Sequence, residues 1–241
     1  MPQDKVKTML RRTSFAVSTD ENRYVLNGLY LSFKENKLTM VATDGRRLAL
    51  AEEEVELPGE SQMELIVPTK AIQELSRQLG EEGNVKIQIT ENQVSFGLEE
   101  KEGTGSLIVS KLVEGAYPNY KQVIPAESKH RVTLDKEELF HALRRAEIMT
   151  SEKANSVKLT FSENNLTFTA NSPEVGESRE TMAIKYGGEE TSIAFNPEFF
   201  IDPLKALEED EVHFEFTDQL SPGVVKVNHP FLYVIMPMRT S

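Results

Sequence analysis

Catalysis needs groups that converge on one point, and the residues of this chain that could do chemistry do not fall into a catalytic spacing. The four histidines, His130, His141, His213 and His229, show no HExxH or similar ligand pattern, and no GxSxG, Walker-type or GxGxxG loop is present. Gly103-Thr104-Gly105 is a loop signal only. The run Glu208-Glu209-Asp210-Glu211 offers carboxylates to a divalent cation but lacks the spacing of a calcium loop, so it reads as a solvated connection from helix to strand. Cysteine is absent, which removes thiolate nucleophiles, disulfides and cysteine metal sites and is compatible with a reducing compartment. A hydrolase working through carboxylates would need a cluster that does not stand out, so the chain reads as a non-enzyme with no cofactor and no metal. What remains to be weighed are two Leu-Arg-Arg triplets, at residues 10–12 and 143–145, and the tight turn Thr43-Asp44-Gly45.

The elements that must position these groups are set by composition and pattern. A length of 241 residues exceeds the usual single domain, and 39% hydrophobic residues with interspersed charge describe an ordered globular protein. The first residues, MPQDKVKTMLRRTS, are polar and amphipathic, unlike a signal peptide, and no apolar run is long enough for a membrane span, so a cytoplasmic protein without a membrane partner is expected. A net charge of −12 repels nucleic acid at long range, unless the basic residues share one surface.

The chain repeats itself. Each Leu-Arg-Arg triplet opens a helical pattern, is followed by a serine (Ser18, Ser151) and a polar loop, and leads into an alternating stretch. Leu29, Leu31, Phe33, Leu38, Met40 and Ala42 fall opposite Val157, Leu159, Phe161, Leu166, Phe168 and Ala170, a period of two that predicts half-buried strands. Lys34-Glu35-Asn36 and Ser162-Glu163-Asn164 sit where hairpin turns belong. Further on, VPTKAIQELSRQL before VKIQIT corresponds to FNPEFFIDPLKAL before VHFEFT, with Pro68 and Pro197 near the helix starts. Each half is therefore helix, strands, helix, strands, an α+β domain of two helices on antiparallel sheet, duplicated with a boundary near residues 125–129.

The first helix sets Lys5, Lys7, Arg11 and Arg12 apart from Val6, Met9, Leu10 and Ala16, and its counterpart sets Arg144 and Arg145 against Leu139, Leu143 and Ile148. Acidic residues gather elsewhere, around 52–56, 99–102 and 208–211. These basic sectors are either ordinary solvated helix faces or one basic, helix-lined surface, and the pattern leaves both open.

The segments RYVLNG (23–28), ATDGRRLAL (42–50), KLVEGAYPNY (111–120) and the final YVIMPMR (233–239) resemble the bacterial DNA sliding clamp, the beta subunit of DNA polymerase III, in the right order across essentially the whole chain. That family carries three such repeats per subunit. The resemblance implies duplicated DNA-clamp domains, a middle one at 1–125 and a C-terminal one at 126–241, with the first repeat and the opening strand before the first helix missing, as in a fragment. It further implies a processivity factor that encircles duplex DNA without reading sequence, as a homodimer ring of complete subunits joined head to tail. Lys5, Lys7, Arg11, Arg12, Arg144 and Arg145 would face the DNA. Without a first repeat the chain is expected to be monomeric, its partner edge at 177–185 unpaired.

The same resemblance implies a groove for a short motif, Gln-Leu-Ser/Asp-Leu-Phe, borne by the polymerase III catalytic subunit, the clamp loader, other polymerases and repair proteins. One subsite would use Leu26, Thr43, Gly45, Arg46, Arg47, Leu48, Pro118, Val123 and Val234. The other would use Arg23, Tyr24, Phe199, Leu220, Ile235, Met236, Pro237, Met238 and Arg239. Val25, Arg46 and Phe199 stand where relatives can carry tyrosine, histidine and tyrosine, which bears on motif preference. Taken alone, Thr43-Asp44-Gly45 is a good tight turn, and one of Met236 and Met238 would be core and the other surface in a terminal strand. The alternative is another duplicated α+β interaction module that does not encircle DNA.

Overall fold

The computed structural model describes residues 1–57, 62–99, 105–150, 155–172 and 176–239. Ser151 and residues 100–104, with part of the acidic stretch near 99–102, lie outside the described residues. The chain divides into two compact units, Met1–Asn119 and Tyr120–Ser241. The division falls before the expected boundary, at a single 3-10 turn, Tyr120–Val123, so Val123 is carried by the second unit.

The first unit opens with helix α1 (Gln3–Thr13), which buries Val6, Met9, Leu10 and Thr13, one face of a 3.6-residue repeat. Asp4 in the first turn and Arg11 and Arg12 in the last complement the helix dipole. Strands β1 (Gly28–Lys34), β2 (Lys37–Thr43), β3 (Arg47–Glu54) and β4 (Met63–Pro68) form an antiparallel array in the order β4-β1-β2-β3. Helix α2 (Thr69–Gln78) leads to a second array, β5 (Val85–Ile89), β6 (Gln93–Leu98) and β7 (Ser106–Lys111). The β1–β2 hairpin closes through Glu35 and Asn36 alone, with φ of 53° and 55°, the left-handed pair that a twisted two-residue hairpin requires. The cross-strand pairs Leu31 with Met40 and Phe33 with Leu38 place every predicted apolar residue inside. Strand β2 departs from the half-buried expectation, because Thr39, Val41 and Thr43 are buried as well. The segment after β7 supplies the cover: Tyr117 stacks on Tyr30 with ring centroids 4.9 Å apart, and its hydroxyl donates to Val41 O at 3.5 Å.

The second unit repeats the plan with β8 (His130–Asp135), α3 (Lys136–Ile148), β9 (Val157–Ser162), β10 (Asn165–Ser172), β11 (Gly176–Ala183), β12 (Thr191–Phe195), α4 (Pro197–Ala206), β13 (Glu211–Phe216), β14 (Gly223–Lys226) and β15 (Phe231–Ile235). Its arrays run β11-β10-β9-β12 and β15-β14-β13-β8. Asp135 caps α3 by accepting from Glu138 N at 2.8 Å, and Asn196 caps α4 by accepting from Glu198 N at 3.0 Å. Before α1, Met1 donates its amino group to Val85 O at 3.0 Å and accepts from Val85 N at 2.8 Å, and Pro2 forms a bridge with Asn84.

Pro203 lies inside α4 and has no amide for the carbonyl four residues before it, that of Phe199. The fully buried Tyr233 on β15 donates its hydroxyl to that carbonyl at 2.6 Å, so a helix defect fastens α4 to the last strand. Below this link Phe161, Phe195, Phe200, Phe214 and Phe216 form a continuous ring cluster, with Phe161 and Phe216 stacked at 4.3 Å. Because Phe161 touches Phe214, Phe216 and Tyr186, Phe161→Ala should cost about 3–5 kcal/mol. A urea titration followed by circular dichroism measures this, and a loss under about 1 kcal/mol would mean that the cluster is not the second unit's core.

Candidate binding surfaces

The basic residues stand on the exposed sides of α1 and α3, but most are already engaged. Lys5 pairs with Glu53, Lys7 with Glu81 at 2.5 Å, Arg144 with Glu147 at 2.6 Å and Arg145 with Glu180 at 2.8 Å. Glu53 raises the Lys5 pKa and Glu180 that of Arg145, each chiefly through the hydrogen bond. Arg11 is exposed and Arg12 half-buried. Exposed ion pairs contribute about 0–1 kcal/mol, too little to hold these cations against a phosphate.

In the first unit the turn from β2 to β3 is built by its own side chains. Thr43 Oγ1 donates to Arg47 O at 2.6 Å and accepts from Gly45 N at 3.1 Å. Asp44 Oδ1 accepts from the amides of Arg46 and Arg47 at 2.9 and 3.0 Å, and Oδ2 accepts from Arg47 Nε at 3.1 Å. Gly45 has φ +85°, and a Cβ there would lie 2.7 Å from Arg23 Nη1, whose guanidinium donates to Asp44 O at 3.2 Å. The 3-10 segment Glu21–Leu26 thus meets the turn. Gly115, φ +121°, leaves room for Val25 and the Tyr24 ring. Arg23, Tyr24, Gly45, Arg46 and Pro118 are exposed, Arg47 is half-buried, and Thr43, Leu26 and Leu48 are buried.

In the second unit Leu220 is 68% exposed on a turn held by Asp218, whose Oδ1 accepts from Leu220 N at 2.9 Å and Ser221 N at 2.8 Å. Phe199 and Pro237 are half-buried, while Val123 and Arg239 are exposed. Met236 and Met238 are both exposed, at 39% and 37%, so neither is core. They lie beyond the end of β15, where Met238 N donates to Ala194 O at 2.7 Å. Val234 and Ile235, at 1% and 0% exposure, are buried like Leu48, Leu26 and Thr43 of the first unit, so these five expected site residues lie beneath the surface and not on it.

Residues 1–119 match the family model described as DNA polymerase III beta subunit, central domain, and residues 121–239 match its C-terminal domain. The chain belongs to the DNA polymerase III beta subunit family. It is 39% identical over 239 residues to the beta sliding clamp of Chlamydia pneumoniae, covering 99% of this chain and 64% of that one. The crystal structure of the DNA polymerase III subunit beta from Pseudomonas aeruginosa superposes with a TM-score of 0.93 at 33% identity, covering 100% of this chain and 66% of the other. A Pseudomonas aeruginosa sliding clamp bound to griselimycin gives 0.93 at 33%, covering 100% and 64%. The chain therefore spans just under two thirds of these relatives' length. The family's names are those of a clamp, not of a catalyst.

Within this family's fold, the sequence-based assignment missed Asp44, Gly115 and Tyr117, which shape the first unit's surface from behind it. KLVEGAYPNY contained two of them, and the glycine itself was the available signal, its φ of 121° being one that other residues rarely adopt. Burial raises the Tyr117 pKa well above that of a free phenol, so it is a neutral packing group.

The Asp218 carboxyl is held below the usual carboxylate range, first by the hydrogen bond from Leu220 N. Its contribution is therefore present above the unfolded value of about 3.9 and is lost as pH falls through the lower folded value. The amide resonances of Leu220 and Ser221 should stay constant from pH 7 to about 5 and move only below about 4. Movement centred near pH 6 would remove Asp218 as the group that holds Leu220 outward.

Proposed function

We propose that the chain acts in a DNA polymerase processivity clamp, a ring of two subunits that encircles duplex DNA and tethers polymerase, clamp loader and repair proteins through their linear motifs. The observation that carries this is that both halves match successive domains of one clamp family over nearly the whole chain, in order. A topological link needs no tight grip. Basic helices need only a modest attraction for phosphates, and a net charge of −12 opposes adhesion elsewhere. The motif's anchors are taken by exposed apolar side chains of both units, among them Tyr24 of the first and Leu220, Met236 and Met238 of the second. Methionine is adaptable and aliphatic walls accept aromatic anchors, which suits partners that exchange.

A peptide containing Gln-Leu-Asp-Leu-Phe should bind in the micromolar range, roughly −7 to −8 kcal/mol, because a small surface with two apolar anchors buries limited area. Removing residues 236–239 should weaken it at least about tenfold. Calorimetry that finds no saturable binding at millimolar peptide removes the pocket and favours an interaction module of another kind.

Replacing Arg11, Arg12, Arg144 and Arg145 with glutamate should reduce DNA-dependent stimulation of polymerase while leaving the peptide Kd within about twofold. If all four contact phosphate, the slope of log affinity for duplex against log salt should flatten by about 3 to 4. Normal stimulation by the quadruple variant at physiological salt would show that these helix faces do not meet DNA.

A further inference from the structure

We propose that Asp44, which forms no part of the peptide-contacting surface, is the positioning residue that sets both arginines of the first unit's surface; the inference rests on the peptide-binding function proposed above. Asp44 uses both carboxylate oxygens and its main-chain carbonyl. Oδ1 takes the amides of Arg46 and Arg47 at 2.9 and 3.0 Å, which fixes the turn. Oδ2 takes Arg47 Nε at 3.1 Å, and the carbonyl takes Arg23 Nη1 at 3.2 Å. The ion pair is largely shielded, with 11% of the Arg47 and 19% of the Asp44 side chain exposed, so it is worth more than the open pairs along the helices.

Arg47 is held from its far end too. Its Nη2 donates to Phe15 O at 3.1 Å and its guanidinium lies 5.8 Å from the centre of the Phe15 ring, so the segment after α1 and the Asp44 carboxylate clamp one side chain between them. Arg23 is held differently. It lies across Gly45, where any side chain would collide with Nη1 at 2.7 Å, and reaches the Asp44 carbonyl only while the turn keeps its shape. Asp44 therefore orients Arg47 directly and Arg23 through the backbone, with Asp20 Oδ2 adding an open ion pair to Arg23 Nε at 3.7 Å. The Arg23 head, with 55% of its side chain exposed, is then presented ready-made to the carboxylate and amide side chains of an incoming motif while the shielded Arg47 fixes the turn beside it, which lowers the entropy cost of ordering a long side chain on binding.

Substitution at Asp44 separates this role from stability. Asp44→Ala removes the caps and the ion pair, and should weaken the Gln-Leu-Asp-Leu-Phe peptide at least about tenfold. Asp44→Asn keeps an Oδ1 acceptor for both amides, and with it the turn and Arg23, but sets an amide NH2 against Arg47 Nε, so it should recover only part of the affinity and stay about threefold or more weaker than wild type. The alanine variant should keep its far-UV spectrum and melt within about 4 °C of wild type, so the loss is one of placement. Wild-type affinity in Asp44→Ala overturns the proposal, as does wild-type affinity in Asp44→Asn. If Asp44→Ala does not fold, the asparagine variant alone decides: a loss of about threefold or more supports the proposal and wild-type affinity overturns it. Absence of peptide binding by the unsubstituted protein is a different failure, that of the binding surface itself.

Discussion

Register in the two long hairpins is the constraint on which the rest of each unit depends. Side chains alternate with a period of two, so slipping β2 by one residue would turn Leu38, Met40 and Ala42 out of the core and present Thr39 and Val41 in their place. The two-residue turn at Glu35 and Asn36 forbids that slip, because it admits only the pairing of Lys34 with Lys37. The register reaches the far end of the strand as well. Thr43 pairs with Leu48, and residues 44–47 are thereby obliged to make the turn that carries Asp44, Gly45 and both following arginines. In the second unit Ser162 pairs with Asn165 and Phe161 with Leu166, so the same constraint delivers Phe161 to the aromatic core.

Charge is arranged by strength of pairing rather than by count. The Asp44–Arg47 pair is shielded and shares its carboxylate with two amides, whereas Lys5, Lys7, Arg144 and Arg145 of α1 and α3 pair with carboxylates in the open. A pair worth about 0–1 kcal/mol can be traded for a phosphate at little cost, and one that also caps a turn cannot. The acidic chain thus carries two kinds of cation: fixed ones that shape a turn, and ones that the function proposed above would exchange for phosphates.

The duplication, the hairpins and the helix order were legible because each is encoded within a few residues: alternating apolar positions, Glu35-Asn36 at a turn, a proline near the start of each second helix. What was not legible depends on partners distant in sequence. Burial of both faces of β2 requires Tyr117 to return over Tyr30, and period-two alternation carries no sign of it. Pro203 stays within α4 because Tyr233, distant in sequence, satisfies the carbonyl it leaves free. The expected binding residues came from family resemblance alone, which names residues without depth. Exposed Leu220 and core Ile235 therefore came out on the same footing, although their surroundings differ completely.

A surface that serves many partners in turn must be adaptable where it meets their varied side chains and fixed where it meets what they share. The two units divide these duties. Met236 and Met238 stand past the last strand, each with rotatable side chains and partial exposure, and follow a core residue, Ile235, that does not move with them. The first unit instead offers a turn whose carboxylate, hydroxyl and threaded arginines leave little freedom. Rigidity at the turn lowers the entropic cost of each association, and softness at the methionines keeps any one association from becoming permanent. On the function proposed above, moderate affinity would follow from this construction: tightening the methionine wall would favour one partner by excluding the others.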